Sequence, residues 1–181
     1  YEWLNKNTDY GSSFHAKGRV DYIKDLIDEY EVKSVLDVGT GRGLLCEWLE
    51  ENTDLETIYG LDIAMDPTVP QTNRVKFIKS GAHDIPLDDS VDMVTSFDFF
   101  EHVVESDVDN ILSEMCRVCN TVMAHKVHYV TDTHPGQSTS HRDIVGELHQ
   151  TRHELDWWLD KFSNYGNARF EESPRMFIIE L

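Results

Sequence analysis

Three glycines at alternating positions, Gly39, Gly41 and Gly43, stand between two aspartates, Asp37 just before them and Asp62 further on. Glycine lets the main chain come close to a ligand, and a helix N-terminus offers free N–H groups. The run D-V-G-T-G-R-G therefore reads as an anion- or nucleotide-binding corner. Asp62 follows the loop by about 20 residues, where an open α/β sheet carries the acid that grips a ribose. Two hydroxyls on adjacent carbons can both donate to one carboxylate. The glycine spacing narrows the ligand: a dinucleotide fingerprint is G-x-G-x-x-G, whereas here Leu44 follows Gly43 and the pattern is G-x-G-x-G. No Lys-Ser or Lys-Thr comes next, which argues against a P-loop. For proton transfer, Asp98, His102 and His128 are the titratable residues expected to reach the same pocket. His102, in an E-H-V turn, also has a plain reading as a structural hydrogen-bonding residue.

These residues need elements to hold them. Val35, Leu36 and Val38 predict a short buried strand, and Leu44, Leu45, Trp48 and Leu49 a helix after the glycines. Before them, Val20, Ile23, Ile27 and Tyr30, with Leu26 beside them, mark an amphipathic helix ending near Glu31. Thr57 to Leu61 and Val75 to Ile78 read as second and third strands, Val91 to Ser96 as the fourth and Thr121 to Val130 as the fifth. Ser106 is expected to cap a helix over Asp107 to Cys116. Thr151-Arg152-His153-Glu154 reads as a capping box opening a helix with Leu155, Trp158, Leu159 and Phe162. Phe170 and Met176 to Leu181 suggest a final antiparallel pair. The expected fold is α/β, Rossmann-like and doubly wound, with a mostly parallel seven-stranded sheet and helices on both faces. One domain over 1–181 is expected, with 1–19 a lid and 131–150 a substrate-side loop.

The D-V-G-T-G-R-G run closely resembles motif I of class I S-adenosylmethionine (SAM)-dependent methyltransferases. A second stretch, GAHDIPLDDSVDMVTSFDFFEHV from Gly81 to Val103, looks like the family's "GDAxxLPFxDxSFDxVxxxxxLEHV". The resemblance implies SAM as cofactor and methyl transfer as the reaction. It implies that Gly39, Thr40, Gly41 and Gly43 face the methionine part and that Asp62, with Ile63 next to it, serves the ribose side. Ala82, His83, Asp84 and Ile85 would line the adenine, and Phe97 to Phe99 would lie under the methionine portion, Phe97 and Phe99 beside the sulfonium. Asp37 would orient the turn or meet the ammonium group, directly or through water. One departure is Gly81, where the family usually carries an Asp that accepts from the adenine amino group. Asp84, a backbone carbonyl or water could replace it, or the base is held less firmly. The family's "LKPGG" turn before the fifth strand is reduced to Cys119-Asn120.

Composition limits the acceptor. The formal charge is −18, with 34 acidic against 16 basic residues, and no Lys/Arg-rich run exists. Nucleic acid is therefore not an expected partner. The matching stretch Ser96-Phe97-Asp98-Phe99 also lacks both prolines of the D-P-P-Y motif for base amines. A small-molecule acceptor is favoured, with a protein methyltransferase or a SAM-binding protein without turnover as alternatives. Trp157, Trp158 and the His-containing loop are candidates for its walls. No apolar run approaches the ~20 residues of a membrane span, and three cysteines without framework spacing suit a reduced, cytoplasmic setting. Cys116 and Cys119, followed by His125 and His128, do not have finger spacing and read as packing residues. The segment Thr131 to Gln150 carries His134, His141 and His149, with His153 beyond it. His149 and His153 stand at i, i+4 but straddle a helix start, so no metal is expected.

Overall fold

Short runs of Val, Ile, Leu and Met that are bounded by turns cannot bury themselves as helices, and here they stack side by side as strands. The computed structural model describes residues 16–65, 69–129 and 148–181. Helix α1 (Val20–Glu29) precedes β1 (Ser34–Val38), α2 (Leu44–Asn52), β2 (Thr57–Leu61), β3 (Val75–Ile78) and β4 (Val91–Phe97). A 3-10 turn (Phe100–His102) leads into α3 (Glu105–Val118), β5 (Cys119–Lys126), α4 (Leu155–Ser163), β6 (Asn167–Glu171) and β7 (Met176–Glu180). The strands form one sheet in the order β3-β2-β1-β4-β5-β7-β6. β1 to β5 pair in parallel, and β7 runs antiparallel between β5 and β6.

Each sheet face carries its own core. Val20, Ile23, Leu26 and Ile27 of α1 and Leu45, Cys46 and Leu49 of α2 cover Val35, Ile58 and Met93. On the other face, Val108, Ile111, Leu112 and Met115 of α3 and Trp158 and Phe162 of α4 cover Leu36, Val94 and Met123. Because chain order reverses between β1 and β4, the carboxyl ends of β1, β2 and β4 open a crevice there.

Three boundaries differ from expectation, each for a physical reason. α3 starts at Glu105, and the hydroxyl of Ser106 donates to the Asp107 carboxylate, so it gives no cap. Glu105 and Asp107 instead put charge in the first turn, where the helix dipole favours it. Thr151 does not cap α4, because its hydroxyl donates to the Val103 carbonyl at 2.7 Å and its N–H to the Glu101 carbonyl at 3.2 Å. The helix therefore begins at Leu155. β5 begins at Cys119, straight from α3, and ends at Lys126 because His128 turns its main-chain N–H to the Glu101 carboxylate at 3.1 Å. Neither Cys116 nor Cys119 is in a disulfide; Cys119 is buried and Cys116 half-buried. Most of the expected lid (1–15) and most of the expected substrate-side loop (131–147, with His134 and His141) lie outside the described residues. Among the described residues no helix is long and apolar enough to cross a membrane.

Candidate functional site

At the end of β1 the chain turns over the end of β2. The N–H groups of Gly39 and Thr40 both donate to the Leu61 carbonyl, at 2.8 and 3.1 Å. The loop is then fastened by Asp62. One carboxylate oxygen accepts from the N–H of Gly41 at 2.9 Å and the other from Ala64 at 2.7 Å. Each oxygen keeps a lone pair for a further donor. An added Cβ at Gly41 would meet nothing within 4 Å, so the loop borders open space beside Asp62. Ile63, next in the chain, is 61% exposed.

Two of the glycines are required by close contact. Gly39 has φ +76°, and a Cβ there would come 2.6 Å from the ring of Phe99. Gly43, the N-cap of α2, has φ +78°, and a Cβ would come 2.5 Å from the ring of Phe77 on β3. Phe77 also lies against Gly60, and so props the loop from beneath. Gly43→Ala is expected to cost about 1–3 kcal/mol through the left-handed backbone and the overpacked ring. Chemical denaturation measures it, and an unchanged midpoint would contradict this packing account.

Asp37 is 4% exposed and sits in register between Gly60 on β2 and Thr95 on β4. The Thr95 hydroxyl donates to it at 2.9 Å. Burial pushes its carboxyl up to about 7, the hydroxyls of Thr40 and Thr95 pull the other way, and the charge of Asp62 adds to the rise. An unfolded Asp titrates near ~3.9, so between that pH and about 7 the native chain holds the extra proton. Stability is therefore lost as pH rises through this window and changes no further above it. Asp37→Asn removes that dependence. Relative to wild type it is expected to gain roughly 1–3 kcal/mol between pH 4 and pH 8. Parallel melting profiles across that range would refute the assignment.

Past β4 the chain makes a tight turn. Asp98 adopts φ +49°, donates its N–H to the Lys126 carbonyl at 3.0 Å and forms an ion pair with the Lys126 ammonium. Burial, then the charges of Arg19 and Arg175, lower the Lys126 ammonium to about 8. Phe97 and Phe99 diverge: Phe97 packs on the α1–α2 side of the sheet and Phe99 on the α3–α4 side. The 3-10 turn then delivers Glu101 to the interior, 1% exposed, with its carboxyl raised to about 7 by burial. One oxygen accepts from the His128 N–H, and the other, Oε2, has no hydrogen-bond partner among the described residues. His102 Nδ1 lies 3.1 Å from the Leu148 carbonyl, and the His102 and His149 rings are 4.9 Å apart. The ring of His128 lies 5.0 Å from that of His149, so two of the three proton-transfer candidates come together here. Burial, then the charges of His102, His128, Arg152 and Lys126, lower His149 to about 4.

The 81–85 segment is a turn between β3 and β4. Asp84 donates its N–H to the Gly81 carbonyl at 3.2 Å and Ile85 donates its own to Glu114 of α3 at 3.1 Å. Ala82 is buried, His83 and Asp84 are exposed, and the His83 ring fills the space where a side chain at Gly81 would stand. His153 stacks on Trp157 at 3.8 Å and approaches Glu105, so it leaves His149. Trp158 is fully buried core, while Trp157 is half-exposed. Sequence reasoning had not singled out Phe77, Thr95, Glu101 or Lys126. A legible signal existed for Glu101, the charge beside His102 after a buried strand, and for the others none short of strand register.

Residues 36–121 match the family described as a methyltransferase domain. No curated protein matches the chain in sequence. Among solved structures, it resembles a chain from the complex of the Haloferax volcanii Trm112 methyltransferase activator with a candidate methyltransferase. Identity there is 21% and the TM-score 0.68, over 94% of this chain and 74% of that one. It also resembles an O-methyltransferase family protein from Burkholderia thailandensis, at 14% identity and TM-score 0.70, over 91% of this chain and 55% of that one. Human N-acetylserotonin methyltransferase in complex with SAM is similar at 12% identity and TM-score 0.64, over 84% and 48%. The chain thus spans about half the length of the last two.

Proposed function

We propose that this chain, whose residues 36–121 match a methyltransferase domain family, is a class I SAM-dependent methyltransferase that transfers the SAM methyl group to a small-molecule acceptor. The observation that carries the cofactor assignment is the Asp62 carboxylate. It ties down Gly41 beside open space and keeps acceptor capacity for two vicinal hydroxyls. The residues fit the group. The glycine loop over Gly39, Thr40, Gly41 and Gly43 would hold the methionine part, with the Asp37 carboxyl beneath it. Exposed Ile63 offers an apolar face to the base, and Ala82, His83 and Asp84 its edge. Phe99, packed against Gly39, supplies an electron-rich ring for a sulfonium, and Phe97 borders the turn from the opposite side of the sheet. When bound, SAM supplies an electrophilic methyl on sulfur, which leaves as a neutral thioether. The protein's part is then mainly alignment and exclusion of water.

A base is needed only where the acceptor has a proton to lose. Asp98 is paired with Lys126, and His102 is oriented by the Leu148 carbonyl. His128, beside His149, is the residue we assign to that proton. The small-molecule reading is supported by the net charge of −18, which opposes a polyanion even with screening over the ~8 Å Debye length of physiological salt. The test is calorimetry with SAM and with its demethylated product, followed by methyl-tritium transfer onto fractionated metabolites, tRNA, DNA and proteins. Label in metabolites is the expected result. Label chiefly in nucleic acid or protein overturns the acceptor, and binding without turnover overturns the activity.

A further inference from the structure

The turn after β4 brings together three groups that a nucleotide pocket does not need. Glu101, His102 and His149 each offer a ligand atom, and these atoms all lie within 4.8 Å of one another. Glu101 is buried, and among the described residues its Oε2 has no hydrogen-bond partner. A buried carboxylate oxygen without a donor is costly unless a proton or a cation faces it. The other oxygen is fixed by the His128 N–H, so the side chain is held from one end. The other two members of this cluster, His102 and His149, are imidazoles, which ligate metals through nitrogen.

We propose that Glu101, His102 and His149 form a binding site for a divalent first-row transition metal ion, of the zinc, iron(II) or cobalt(II) kind. Two imidazoles and one carboxylate are a common donor set for such ions, and they leave further positions open. Ligands ~2.1 Å from one ion stand roughly 3–4 Å apart, so small side-chain rotations bring the three groups into coordination. His102 has the outer support expected of a ligand. Its Nδ1 lies 3.1 Å from the Leu148 carbonyl, an outer contact of the kind that orients a ligating imidazole. The main chain adds to the scaffold, because the Glu101 carbonyl accepts from the N–H groups of Gln150 and Thr151. This clamps the segment that carries His149 to the turn that carries Glu101 and His102. Residues far apart in sequence are thereby fixed on one point. The mixed nitrogen and oxygen donors disfavour magnesium and calcium, which prefer all-oxygen sites.

The test uses tag-free full-length chain stripped with chelator. Equilibrium dialysis with zinc, read by elemental analysis, is expected to give one ion per chain. Titration with cobalt(II) is expected to produce ligand-field absorption in the visible range. His149→Ala, at a half-exposed position, and Glu101→Gln, which keeps side-chain shape, are each expected to weaken cobalt binding by about 10–100-fold. His153→Ala, which alters a histidine outside the set, should leave it unchanged. Circular dichroism establishes that each variant is folded. If Glu101→Gln does not fold, His149→Ala with His102→Ala decides. No stoichiometric zinc, or affinity retained in the folded variants, overturns the site. None of these readouts involves SAM, so the outcome is independent of the methyl-transfer reading.

Discussion

Asp62→Ala is expected to weaken SAM binding by about 10²–10³-fold in calorimetry, with the fold retained. A hydrogen bond to a charged acceptor contributes roughly 1.5–3 kcal/mol, and a ribose would make two of them to this carboxylate. Each 1.4 kcal/mol is about tenfold in affinity, so a net loss of about 3–4 kcal/mol gives the stated range. The same side chain holds the N–H groups of Gly41 and Ala64, so its removal also loosens the loop that would receive the methionine part. Asp62→Asn separates the two effects. Its amide oxygen can still accept from Gly41, while the charge and one acceptor are gone, and an intermediate loss is expected. An Asp62→Ala protein that binds SAM within about threefold of wild type would refute the ribose assignment.

Phe100→Ala is expected to destabilise the chain by about 3–5 kcal/mol, the usual cost of truncating a buried aromatic ring. Phe100 has no exposed surface, and its ring centre lies 5.2 to 6.0 Å from those of Phe99, His125, Trp158 and Phe162. It therefore joins the end of β4 to β5 and α4 through one side chain. For a chain of this length each kcal/mol moves the melting temperature by roughly 2–4 °C, so a fall of roughly 6–20 °C is expected by calorimetry. Phe100→Leu keeps most of the volume and should lose far less. A melting temperature within about 2 °C of wild type would show that the cavity refills and that the turn is held by other means.

The strands β1, β2 and β3 and the helix α2 were legible because apolar runs, glycine spacing and strand-end acids are local signals. The same holds for the Asp37–Gly43 loop and for Asp62, whose order along the chain already implies the carboxyl edge of a parallel sheet. Local signals failed where a distant partner took over a group. Thr151 has the residue type and spacing of a cap, yet its hydroxyl goes to Val103, and helix α4 starts later. Cys119 and Asn120 look like a turn, yet pairing of Val91 with Cys119 recruits them to β5.

By itself, then, the sequence determined the α/β order, the glycine turn at the end of β1 and the acidic charge that argues against a polyanion. These follow from periodicity, glycine and composition, which act within a few residues or over the whole surface. Only the tertiary structure decided that Thr95 meets Asp37, that Phe77 props Gly43 and that His149 leaves His153 to face Glu101 and His102. Those pairings depend on strand register and on how the 148–151 segment bonds to the 3-10 turn. Both are fixed by contacts between residues dozens of positions apart, which no local pattern encodes.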